Sequence, residues 1–206
     1  MPRADRKPAA SSPTTHDGGG SRRDQILDVA APLFADRGYH GVSIDDLGSA
    51  LGVTGPALYR YFRSKDAVLA ALLVGISRSL LAGGQARVEA AADPGAALAA
   101  LVEWHVSFAL ENPALITVQS RDLASLAGPQ QRTVRRLQRA YVEIWVGAIQ
   151  ARHPSVDDAT ARAAAHAAFG LINSTPHSAR LDRTAMAALL RRMATAALAG
   201  VTATVH

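Results

Sequence analysis

Val53-Thr54-Gly55-Pro56-Ala57-Leu58-Tyr59-Arg60-Tyr61-Phe62-Arg63-Ser64-Lys65 is the stretch on which the reading of this chain turns. Thr54 is a capping residue, and Gly55 and Pro56 occupy a first helical turn, where a missing amide costs little. Leu58 and Phe62 lie four apart and share one inward face, so Tyr59, Arg60 and Tyr61 point largely away from it. Residues 54–65 hold three basic side chains and no acid, a local charge of +3. The spacing predicts a helix from the Thr54 cap to about Phe62, with a tyrosine-rich basic outer face suited to the DNA major groove.

Working outward, a shorter helix precedes it. Ser43-x-x-Asp46 is a capping box, Ile44, Leu47 and Leu51 face inward, and Gly52 breaks the run. Before that, Ser21-x-x-Asp24 opens a helix over about 22–37 that stops at Gly38, with Ile26, Val29, Ala30, Leu33 and Phe34 on one face. Pro32 removes the hydrogen bond to the Asp28 carbonyl and predicts a local bend. Downstream, Ser64 caps a longer fourth helix that weakens at Gly83-Gly84. Further helices are expected near 94–112, 114–126, 129–152, 156–174 and 182–201, with Pro94, Pro113, Pro129 and Pro154 marking starts. Strand patterns and internal repeats are not evident, so the predicted fold class is all-α.

Composition agrees with this. The 206 residues are 49% hydrophobic, alanine-rich and poor in aromatics, which favours helices packed closely through small side chains. The net charge is +5, yet residues 1–75 hold nine basic against eight acidic side chains. Any case for nucleic acid therefore rests on local charge rather than on the total. The lack of cysteine excludes disulfides, thiol nucleophiles and Cys-ligated zinc, and suits a reducing cytoplasm. Arg3, Arg6 and Lys7 are not followed by an apolar run, so no secretory signal is expected. No uncharged apolar stretch reaches the length of about 20 residues that a membrane span needs. Nor does the sequence carry a His-Glu-x-x-His, phosphate-loop or Gly-x-Ser-x-Gly pattern, so neither an enzyme nor a resident metal or cofactor is expected.

Residues 1 to about 75 resemble the TetR family of bacterial transcriptional regulators. The carrying residues are Ile26-Leu27-x-x-Ala30, Leu33-Phe34, Arg37-Gly38-Tyr39, Val42-Ser43-Ile44-Asp45-Asp46-Leu47, Leu51-Gly52-Val53, Leu58-Tyr59-x-Tyr61-Phe62 and Ser64-Lys65. Pro32 departs from the usual first-helix pattern. The resemblance implies an N-terminal three-helix DNA-binding head over 21–66 and a larger helical domain over 67–206 that binds a small molecule and dimerises. A disordered basic arm over 1–20 precedes them. It also implies a cytoplasmic bacterial protein, most often a repressor, released from a palindromic operator by its ligand. A sequence-tolerant or architectural DNA-binding protein without ligand control shares the same head and is the alternative.

Eight residues are expected at DNA. Ser43 and Thr54 sit at helix starts, where hydroxyls and free amides suit phosphate, although both are equally readable as caps alone. Tyr59 and Tyr61 match the family's phosphate-binding aromatics, with core packing the other reading of Tyr59. Lys65 matches the family lysine that anchors the fourth helix to the DNA backbone. On that reading Lys65→Ala lowers the salt slope by about one counterion; a solvated lysine is the bland alternative. Gly55 and Pro56 let the helix approach the bases, and Arg60 reaches either a guanine or a phosphate. Arg3, Arg6 and Lys7 of the arm, with Arg22 and Arg23, are candidates for phosphate or minor-groove contact, a solvated tail without a role being the other reading.

For the ligand, Trp104 and Phe108 repeat at helical spacing, as do Tyr141 and Trp145; Phe169 joins them, and Arg121, His166 and Asn173 are candidate polar groups. The competing reading of each is ordinary core packing. Arg132, Arg135, Arg136 and Arg139 fall on one helix side within the segment from Leu126 to Trp145, which resembles family members sensing lipid-derived CoA thioesters. They are either phosphate receptors or an exposed solvated face. Ala159, Ala163, Ala167 and Gly170, with Ala185, Ala188, Leu189, Met193, Ala196 and Ala197, allow close helix approach. They mark the last two helices as the expected homodimer interface, or else as an intrachain core.

Overall fold

The computed structural model describes residues 21–175 and 181–201. The expected arm over 1–20 lies outside them. Among the described residues there are nine α-helices, one 3-10 turn and no strand. In chain order they are α1 (Arg22–Arg37), α2 (Ile44–Ala50), α3 (Gly55–Leu58), α4 (Lys65–Glu89), α5 (Pro94–Glu111), α6 (Pro113–Asp122), the turn Leu123–Ser125, α7 (Gly128–Arg152), α8 (Asp158–Ile172) and α9 (Arg183–Ala199).

Local chemistry sets most of these boundaries. The two capping boxes form as read: Ser21 and Asp24 satisfy each other's backbone amides, as do Ser43 and Asp46. Asp93, Asp157 and Asp182 cap α5, α8 and α9 through their side chains. At the far end of α1, Gly38 takes φ 76°, where a side chain would be strained. The helix continues through Pro32, which is exposed on the outer face.

Two expectations are corrected. The α-helical part of α3 ends at Leu58, well before Phe62. Beyond it the winding tightens, with Tyr59 N–H to Pro56 O, Arg60 N–H to Ala57 O and Tyr61 N–H to Leu58 O, all three residues back. In contrast, α4 does not weaken at Gly83-Gly84 but runs unbroken to Glu89. A Cβ on Gly83 would overlap the Trp104 indole, and one on Gly84 would sit 2.7 Å from the Tyr141 ring. The glycine pair makes a flat notch into which α5 and α7 lay their aromatic rings.

Helix α4 is the spine of the molecule. It packs on α7 and α5 below and on α1 and α6 at the head. By length and composition it would cross a membrane, but half of its most apolar window is buried against these helices. One continuous core runs from Ile26 and Phe34 in the head through Leu69 and Leu73 to Trp145, Ile149 and Ile172. The last two helices turn Ala161, Ala165, Ala168 and Ile172 of α8, and Met186, Leu190, Ala194 and Leu198 of α9, inward. Ala159, Ala163, Ala167, Gly170, Ala185, Met193, Ala196 and Ala197 are exposed, so this face is not an intrachain core.

Candidate DNA interface and effector cavity

In the head, Leu58 and Phe62 are buried at 1% and 3% exposure, whereas Tyr59 and Tyr61 stand out at 54% and 39%. Tyr59 is therefore not a core residue. Ser43, Thr54, Pro56 and Arg60 are exposed on the same short segment or at the start of α2. Thr54 makes no capping bond, so its hydroxyl is uncommitted. Arg60 forms no ion pair among the described residues, which leaves it available to an anion. The Ser43 hydroxyl is committed to the Asp46 amide at 3.0 Å, and hydrogen bonds from Ser43 hold the Asp46 carboxyl below the usual range.

Two members of the expected DNA set are placed differently. Gly55 is buried, and a Cβ there would overlap the Asp45 carboxylate; Gly48 opposite would meet Gly55 N at 2.8 Å. These glycines let α2 and α3 touch backbone to backbone, so Gly55 shapes the motif from inside and does not face outward. Lys65 also points inward. Its ammonium donates to the carbonyls of Tyr39 at 2.8 Å and Val42 at 2.7 Å, and sits 4.3 Å from the Tyr39 ring centroid. The Tyr39 hydroxyl donates to Asp66. Burial, and then that bond, push its pKa up. This cluster pins the loop before α2 to the start of α4. Arg23 does the same from α1, donating to the Tyr61 carbonyl at 2.5 Å with its guanidinium 4.1 Å over the Phe62 ring. Arg23 is thus a positioning residue rather than part of a free basic arm.

The second site is a cavity of about 210 Å³ enclosed by five helices. Ser77 and Leu80 come from α4, His105 from α5, Ile116 and Gln119 from α6, Gln138, Tyr141 and Val142 from α7, and His166, Phe169 and Asn173 from α8 and its cap. His105 organises it. Its ring runs nearly parallel to those of Phe169 (centroids 4.9 Å apart) and Tyr141 (5.7 Å), which lie 5.6 Å from each other, so the three rings form a triangle. Nε2 lies 3.0 Å from Asn173 Oδ1 and Nδ1 lies 3.1 Å from the Tyr141 hydroxyl. An amide oxygen only accepts, so Nε2 carries the proton and the Tyr141 hydroxyl donates to Nδ1. Burial pushes the imidazole down to about 4 against the opposing Asn173 bond, and burial raises the Tyr141 phenol. At neutral pH the whole network is uncharged.

Of the eight residues expected at a ligand, the cavity brings together Tyr141, His166, Phe169 and Asn173. Trp145 is fully buried one layer behind, edge-on to His105 and Phe169 at 5.9 and 5.0 Å. Trp104 and Phe108 lie off the cavity, one residue's rotation around α5 from His105. Trp104 donates to the Leu80 carbonyl at 3.2 Å and carries the Arg87 guanidinium 4.1 Å above its ring. Arg121 is the clearest departure. Its guanidinium donates to the carbonyls of Phe34 and Ala35 at the end of α1 and pairs with buried Asp122 at 3.1 Å. It caps a helix of the head and does not enter the cavity. His105, Gln119, Gln138 and Ser77 were not singled out as ligand residues. For His105 the signal was present: one imidazole inside the apolar run of α5.

An exposed helix-turn-helix face joined by a shared spine to a helical domain is the architecture of a DNA-binding regulator. Residues 26–72 match the model of bacterial regulatory proteins of the tetR family, and residues 91–201 match the tetracyclin repressor-like C-terminal domain. The chain belongs to the TetR family of transcriptional regulators. It is 27% identical over 135 residues to the HTH-type transcriptional repressor KstR2 of Rhodococcus jostii, a match spanning 65% of this chain and 66% of that repressor. The regulator PfmR of Thermus thermophilus superposes with a TM-score of 0.75 at 27% identity, covering 86% of this chain and 99% of PfmR. AibR, solved with isovaleryl coenzyme A and operator DNA, shares the fold with a TM-score of 0.71 at 21% identity, covering 84% and 97% of the two chains.

Proposed function

We propose that this protein is a cytoplasmic, ligand-responsive repressor: a homodimer that binds a palindromic operator and leaves it when a small, largely apolar molecule fills the cavity. Ser43, Thr54, Pro56, Tyr59, Arg60 and Tyr61 form the DNA face, with Gly55, Lys65 and Arg23 holding its shape. The exposed small-residue faces of α8 and α9 pair with their symmetry mates, which gives the two-fold axis that a palindrome requires. The observation that carries this reading is the double attachment of α6, which lines the cavity with Ile116 and Gln119 and holds α1 through Arg121. A molecule that displaces α6 moves the head with it.

A lipid-derived CoA thioester is one form of such an effector. The cavity is too small for the whole of it, so only the acyl end would enter. Arg132, Arg135, Arg136 and Arg139 are exposed on α7 and are candidates for the phosphates outside. AibR, whose structure holds an acyl-CoA, supports this form by analogy of fold alone.

The test is binding of the purified protein to its own upstream DNA against a scrambled fragment at two salt concentrations. Selective binding that survives the higher salt is expected. Equal, salt-fragile binding to both would favour the architectural alternative.

A further inference from the structure

We infer that the part of the effector held in the cavity is uncharged and carries a hydroxyl or carboxamide that donates a hydrogen bond to Gln119. This rests on the reading of the cavity as the effector site and adds the chemical class.

Size comes first. A cavity of about 150 Å³ holds one benzene, so 210 Å³ suits a group of about eight or nine non-hydrogen atoms. Charge is next. None of the eleven lining residues is Asp, Glu, Lys or Arg. His105 gives both ring nitrogens to protein partners, and burial keeps it neutral. Arg87, whose charge reaches Tyr141, is tied to the Gly83 carbonyl at 3.1 Å and to the face of Trp104. A carboxylate would enter with no cation to replace its water, at a net cost in affinity.

Hydrogen-bond polarity then narrows the class. Gln119 Oε1 is sealed from solvent and accepts from no donor among the described residues. Ser77 spends its proton on the Leu73 carbonyl and Tyr141 spends its own on His105, so both present only oxygen lone pairs to the space. The cavity therefore offers three acceptors, with the side-chain amide N–H groups of Gln119, Gln138 and Asn173 as complementary donors at the wall. A hydroxyl or primary amide both gives and takes a hydrogen bond; a hydrocarbon gives none, and an ionised acid has no proton to give.

The experiment uses the full chain at pH 8. Titration calorimetry compares 3-phenylpropan-1-ol, 3-phenylpropanoate and propylbenzene. The alcohol is expected to bind at least about tenfold tighter than the carboxylate and roughly fivefold tighter than the hydrocarbon. Gln119→Leu should abolish the preference for alcohol over hydrocarbon while leaving hydrocarbon affinity within about twofold. Carboxylate binding as tight as the alcohol, or a preference that survives Gln119→Leu, overturns the inference and leaves the site reading intact. Binding of none of the three overturns both. Binding in the expected order without release of operator DNA supports the inference and overturns the release reading alone.

Discussion

Gln119 and Arg121 stand two residues apart on α6 and serve opposite ends of the molecule. Gln119 lines the cavity with its amide oxygen buried and unpaired, and the Arg121 guanidinium holds the last carbonyls of α1. A helix ten residues long leaves little room for one contact to shift without the other. Because a cation at a helix C-terminus also meets the negative end of the dipole, the Arg121 contact is electrostatic as well as directional.

Arg121→Ala removes both roles and leaves buried Asp122 without its partner. Urea unfolding should show a loss of about 1–3 kcal/mol, at the lower end because the arginine is partly exposed. 3-Phenylpropan-1-ol should still bind, because Arg121 does not touch the cavity, but its power to release operator DNA should fall, because Arg121 ties α6 to α1. A variant as stable as the parent would show that the α1 contact contributes nothing.

Lys65→Ala tests the inward placement of the ammonium. Two carbonyls lose a charged donor, so the head should lose about 1–3 kcal/mol. Operator affinity falls through this loss of shape, while the dependence of log affinity on log salt keeps its slope. A slope lower by about one counterion would return Lys65 to the phosphate backbone.

His105 predicts acid sensitivity. Its folded pKa, about 4, lies below the ordinary 6.5, so between these values the unfolded chain binds the extra proton. The neutral network stabilises fully above about pH 6.5, and the contribution is lost as pH falls towards 4, by about 3 kcal/mol at most. His105→Gln keeps a donor and an acceptor without a titrating ring. Urea midpoints measured from pH 7 to 4 should fall less steeply for this variant than for the parent. Parallel curves would mean that His105 is already accessible to protons in the folded state.

Gly83→Ala reverses the usual sign. Inside an ordinary helix the change stabilises by about 1 kcal/mol. Here the new methyl overlaps the Trp104 indole, and a thermal melt should show a loss of about 1–3 kcal/mol with altered tryptophan fluorescence. A gain in melting temperature would show that Trp104 moves aside freely.

The sequence by itself determined the helices, their caps and the outward set on the recognition segment. Those features depend on neighbours three or four residues apart: Ser43 with Asp46, or Leu58 with Phe62. It also marked the small-residue faces of α8 and α9, because an alanine stripe is visible in one dimension. Only the tertiary structure decided what the long polar side chains and the glycines do. Lys65 and Arg121 are flexible cations, and their sequence neighbours do not say whether a carbonyl 26 or 86 residues away will meet them. Gly83 and Gly84 read as helix weakness because the rings that fill their notch come from α5 and α7. His105 is one imidazole in the apolar run of α5, and only the packing of α7 and α8 against it places Tyr141, Phe169 and Asn173 around it. Helical periodicity is a local property of the chain, whereas a cavity belongs to the distances between helices, which arise only when the core is packed.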